Sequence, residues 1–102
     1  MDIEIRYFDD CPNWQDTTQL VRRLVNDEGI DADLSLREVA TQEEAEALRF
    51  LGSPTILVDG EDPFAVEDAP IGLSCRIYMT EDGMAGSPSE TQLRAVLDAG
   101  RG

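Results

Sequence analysis

The sequence predicts an α/β fold of order β-α-β-α-β-β-α, a four-stranded mixed sheet flanked by three helices. Three observations lead there. Two alternating runs, Ile3-Ile5-Tyr7 and Leu34-Leu36, are each followed by apolar residues at helical spacing. Thr55-Ile56-Leu57-Val58 is a compact apolar run between turn residues. Leu73 to Met79 comes after it with no helical pattern between. A helical crossover makes the first two strands parallel, and its absence makes the third and fourth antiparallel. At 102 residues the chain is expected to be a single domain, 1–102, because a second core would leave each half too little apolar surface.

The first strand stops at the Asp9-Asp10 turn signal. Pro12 suits the first position of a helix running from about Pro12 to Glu28, since its missing N–H costs nothing there. Leu20, Val21, Leu24 and Val25 give that helix an apolar face, and Gly29 ends it. Asp33 to Val39 reads as the second strand, with Leu34, Leu36 and either Glu38 or Val39 inward. Thr41 and Glu44 form a capping-box pattern before Ala45, Leu48, Phe50 and Leu51, with Gly52 as the stop.

The third strand, Thr55 to Val58, reads as a buried central one, with a loop after it from Asp59 to about Gly72. The fourth strand ends at Glu81-Asp82-Gly83. Ser87-Pro88-Ser89-Glu90 supplies a cap, a first-turn proline and a reciprocal glutamate before Leu93, Val96 and Leu97 of the last helix. The first and third helices should cover one face of the sheet and the second helix the other.

Composition narrows the chemistry. There are 22 acidic against 8 basic residues, a net charge of -14, so a phosphate backbone is an unsuitable partner and nucleic acid is not expected. No run approaches the roughly 20 apolar residues of a membrane span, and Met1-Asp2-Ile3-Glu4 lacks a signal-peptide pattern, so a cytoplasmic protein is expected. Histidine is absent, which removes Ser/His/Asp and Cys/His catalysis and every histidine metal site. Cysteine, carboxylates and backbone dipoles remain.

With Pro12 as the first helical residue, Cys11 becomes the cap, its sulfur beside unpaired N–H groups and the positive end of the helix dipole. A thiolate is favoured there, suited to attack on disulfides or to soft metals. Asp9, Asp10 and Asp16 oppose it, and Arg6 and Arg76 are the basic residues to examine for compensation, strand register leaving open whether either reaches the sulfur.

A cysteine directly after the first strand and a Ser-Pro-Thr opening the third resemble the thioredoxin fold at its glutaredoxin-like size, over essentially the whole chain. The stretches Asp10-Cys11-Pro12-Asn13-Trp14, Gly52-Ser53-Pro54-Thr55, Asp59 to Phe64 and Gly72-Leu73-Ser74-Cys75-Arg76 are similar to a group of small bacterial thioredoxin-like proteins. Some of these are linked by label to alkylmercury lyase, whose catalytic cysteine arrangement has no match here. The resemblance implies a cis bond before Pro54 and a proline packed beside Cys11. It also implies a thiol-disulfide oxidoreductase with Cys11 as nucleophile and Pro12, Trp14, Ser53 and Pro54 shaping a substrate groove.

Trp14 stands where the family's second motif cysteine would be, so the site is monothiol and needs an external resolving thiol from a protein or a low-molecular-weight partner. No cofactor or metal is expected. The alternatives are a non-catalytic binding or soft-metal-sequestering module, or a structural dimer partner.

Cys75 groups by alternation with Leu73 and Ile77 as a buried structural thiol. Antiparallel pairing with the third strand sets it about four residues, or roughly 13 Å, from the Cys11 pole. A disulfide needs Cα atoms within roughly 7 Å, so no bridge is expected. Asp59, Glu61 and Asp62 lack the ligand ladder of a calcium loop and read as solvated turn residues, as do Glu43, Glu44 and Glu46 on their helix.

Overall fold

Period-two alternation in the first strand divides the molecule into two sides. In the computed structural model, which describes residues 1–66 and 68–100, β1 (Asp2–Tyr7) buries Ile3 and Ile5 on one face and turns Glu4 and Arg6 to the other. Residue 67 of the expected loop and residues 101–102 of the expected domain lie outside the described part. The helix α1 (Asn13–Asp27) returns the chain so that β2 (Asp33–Glu38) pairs parallel to β1, from Asp2 opposite Asp33 to Tyr7 opposite Glu38. After α2 (Gln42–Leu48), β3 (Thr55–Val58) pairs antiparallel to the other edge of β1, giving the order β2-β1-β3. The central strand is therefore β1, not the third.

One core forms where Ile3, Ile5 and Ile56 meet Val21 and Leu24 of α1 and Leu93 and Leu97 of α3 (Glu90–Gly100). Each such side chain contributes about 1.5–3 kcal/mol by leaving water. Arg94 also reaches across from α3 to Glu28 at the end of α1, with N···O 3.0 Å. A smaller core of Val39, Ala45 and Phe50 takes in Phe8, Leu48 and Leu73. Arg6, on the opposite face of β1 from Ile5, donates to the Leu48 carbonyl at 3.3 Å, so α2 lies on that second side as expected.

The single four-stranded sheet is not formed. The described residues hold two sheets, the three-stranded one and a hairpin of β4 (Tyr78–Thr80) with β5 (Gly83–Ala85). The reason lies upstream. Residues 72–76 run beside residues 50–53, with Gly72 N–H on Phe50 O at 3.1 Å, Ser53 N–H on Ser74 O at 2.8 Å and Arg76 N–H on Ser53 O at 2.9 Å. That contact is parallel and stops before β3 begins, at a bridge between Ser53 and Cys75. Beyond it the chain turns through Glu81-Asp82 and Gly83, whose φ of 108° favours glycine, and pairs with itself.

The caps show smaller shifts. Thr41 caps α2, its Oγ1 accepting from Glu44 N–H at 3.1 Å, as the sequence predicts. Arg49, at φ 54°, ends that helix three residues before Gly52. The last helix is capped by Ser89 with Gln92 as its reciprocal partner, at 3.1 and 3.0 Å, rather than by Ser87 with Glu90.

Candidate functional site

Ser53 is the hub on which the two cysteines meet. The strand β1 ends in a turn closed by Cys11 N–H on Phe8 O at 2.9 Å, which drops Cys11 into the interior with no measurable exposure. Its thiol donates to the Ser53 carbonyl at 3.4 Å. The same carbonyl accepts the Arg76 N–H, and the neighbouring Cys75 thereby comes alongside. Cys75 Sγ stands 2.7 Å from Cys11 Sγ, and the two are not joined as a disulfide.

This overturns the expectation for Cys75. It is exposed, not buried, and it touches Cys11 instead of lying some four residues away. The alternation from residue 75 to 79 is real but of opposite face. Arg76 and Tyr78 are buried, while Cys75, Ile77 and Met79 face outward, Ile77 and Met79 each 68% exposed. The inward face belongs to an arginine because its charge is met. Arg76 Nη1 lies 2.6 Å from Asp62 Oδ2, and its Nη2 donates to Phe64 O at 2.6 Å. Its guanidinium carbon sits 4.6 Å from the Tyr78 ring centre.

Asp62 is thus a nearly buried ion-pair partner rather than a solvated turn residue. Gly52 makes the approach possible. Its φ is 115°, and a Cβ there would stand 3.0 Å from Arg76 Cβ.

The other predicted site residues are distributed unevenly. Cys11 is not the helix cap: Pro12 holds that position, without a side-chain capping bond, and α1 starts at Asn13. Pro12 is exposed. Trp14 is half-buried and stacks on Tyr7 with ring centres 4.0 Å apart. Ser53 and Pro54 are buried, and the bond between them is cis. The Pro54 carbonyl accepts the Tyr78 hydroxyl. The structure therefore brings Cys11 together with Ser53.

Arg6 and Arg76, the candidates for compensating a thiolate, are engaged elsewhere, Arg6 with Glu4 and the Leu48 carbonyl, Arg76 with Asp62 and Phe64. A cavity of about 610 Å³ on the α2 side is lined by Arg6, Phe50, Thr55 and Asp62 among others, and neither cysteine borders it.

The electrostatics centre on Cys75. Its thiol is pushed above the ordinary range, first by the hydrogen bond to Cys11, then by desolvation and by the charge Cys11 carries when ionised. Tyr78 is also pushed well up by burial and, less, by Asp62, with Arg76 pulling the other way. Among the described residues no group of three or more acidic, cysteine or histidine side chains is arranged to hold a metal ion. No helix among them is long and apolar enough to cross a membrane. Sequence reasoning set Cys75 apart from Cys11, because alternation shows that Cys75, Ile77 and Met79 share a face and not that this face is outward.

Compared with known proteins, the chain matches no family model, no curated protein and no solved structure.

Proposed function

We propose that the chain is a thiol-disulfide oxidoreductase in which Cys11 and Cys75 work as a dithiol pair. The observation that carries this reading is the 2.7 Å contact between their sulfurs. An S–S bond of about 2.05 Å is reached from there with little movement, so a mixed disulfide on one sulfur is open to the other without help from outside. The resolving thiol that the motif around Cys11 lacks is then supplied from within the chain, at a separation of 64 residues.

Protein disulfides suit this site better than anionic small thiols. The net charge of -14 repels carboxylate-bearing ligands, whereas exposed Ile77 two residues beyond Cys75, and Met79 opposite Met84 on the hairpin that follows, leave apolar surface. A reducing cytoplasm is the compartment in which such a pair rests as thiols. The same charge makes nucleic acid an unsuitable partner.

The reading is tested by reduction of an insulin disulfide with dithiothreitol as terminal reductant. The wild-type chain is expected to accelerate it, and Cys11→Ser and Cys75→Ser each to abolish the acceleration. No acceleration by the folded wild type would refute it. The paired thiols also favour a second reading, a soft-metal-binding module, because two adjacent sulfurs suit a soft cation. Stoichiometric Cu(I) uptake that requires both cysteines, without disulfide exchange, would establish that one instead.

A further inference from the structure

We infer that Cys75 is the sulfur that attacks substrate and Cys11 the sulfur that resolves, an order opposite to the one the motif around Cys11 suggests; this rests on the dithiol reading above. Disulfide exchange requires the attacking sulfur to approach along the axis of the bond it breaks, so the entry sulfur must be reachable from solvent. Cys11 is not. It has 0% exposure, with its thiol against the Ser53 carbonyl on one side and the Cys75 sulfur on the other. Cys75 is exposed, on a segment with outward-facing Ile77 beyond it. A substrate disulfide meets Cys75 first, and Cys11 meets only the species Cys75 has captured.

The backbone fixes this order. Ser53 bonds on either side of Cys75, its N–H donating to Ser74 O and its carbonyl accepting from Arg76 N–H, and the buried Arg76–Asp62 pair anchors the residue next in the chain. Cys75 can therefore receive a substrate without leaving Cys11.

In the first step Cys75 gives up its proton to solvent and its thiolate attacks one sulfur of a disulfide RS–SR′, forming the Cys75–SR mixed disulfide and releasing R′S⁻, which takes a proton. The Cys11 sulfur, giving up its proton to solvent, then attacks Cys75 Sγ and expels RS⁻, which is protonated in turn. The substrate gains two electrons as two thiols, and the chain is left with a Cys11–Cys75 disulfide. An external dithiol returns it to the starting state, becoming a disulfide itself. Before the first step the Cys75 thiol has Cys11 Sγ as its neighbour at 2.7 Å.

The test uses the full chain and dithiodipyridine, a neutral disulfide that releases a coloured thione. Cys11→Ser is expected to react at Cys75 and retain the thiopyridyl adduct, at least about tenfold faster than Cys75→Ser reacts at Cys11, because access limits the buried thiol. Wild type is expected to release two thiones and finish with the internal disulfide. Equal or faster reaction in Cys75→Ser overturns the assigned order while leaving the dithiol reading intact. Wild type that finishes with both cysteines separately labelled overturns both.

Mapping the first site modified by substoichiometric N-ethylmaleimide in the wild type keeps the test independent of how the variants fold. First modification at Cys75 supports the order. First modification at Cys11 refutes it.

Discussion

At Cys75 a single proton reports whether the two sulfurs meet in solution. The raised thiol has as its largest cause the bond it donates to Cys11, so Cys11→Ala is expected to bring it back down toward the ordinary thiol value. The midpoint of iodoacetamide alkylation against pH measures this, and an unchanged midpoint would mean that the contact does not persist. The same shift sets the sign of its effect on stability. Because the folded value lies above the unfolded one, the protonated Cys75 stabilises the reduced fold fully below the unfolded value. That contribution is lost as pH rises through the folded value. At this scale the sequence was half legible. Cys11 could be singled out from its place after the first strand, but its burial could not, because it depends on the remote Ser53 carbonyl as well as on the Phe8–Cys11 turn.

Between elements, the described residues from Asp59 to Ile77 form no helix or strand and yet are held firmly at one point. Arg76 enters between Asp62, the Phe64 carbonyl and the Tyr78 ring, and Tyr78 packs edge-on against Phe64 with ring centres 5.4 Å apart. Removing one member of a buried ion pair leaves the other charge uncompensated, so Asp62→Ala is expected to cost about 3–5 kcal/mol in urea unfolding. A loss under about 1 kcal/mol would be that of a surface pair and would contradict the anchoring role. Helix positions were legible because capping and apolar spacing are local. The fourth strand was not, because period-two alternation fixes which residues share a face and leaves open which face is inward. An arginine on the inward face is tolerated only with a carboxylate opposite, and the spacing of 14 residues to Asp62 gives no local sign of it.

Over the whole molecule, the Cys11–Cys75 link would close nearly the full length between the first helix and the hairpin. With the two positions 64 residues apart, chain-entropy reasoning gives the oxidised form an advantage of up to about 4 kcal/mol over the reduced form. Urea unfolding with and without dithiothreitol is expected to show the oxidised midpoint higher. An oxidised form less stable than the reduced one would mean that closing the bond distorts the site.

The sequence by itself determined the parallel pairing of the first two strands, the helix positions, and the placing of α1 and α3 on one side of β1 with α2 on the other. These rest on period, capping and crossover rules that act within about twenty residues. Only the tertiary structure decided that the last strands form their own hairpin, that Arg76 is buried on Asp62, and that Cys75 lies against Cys11. Each depends on which remote backbone segment the 72–76 stretch chooses as its neighbour. That choice was made by Gly52 and Ser53, whose open backbone accepts Arg76 and Cys75 side by side.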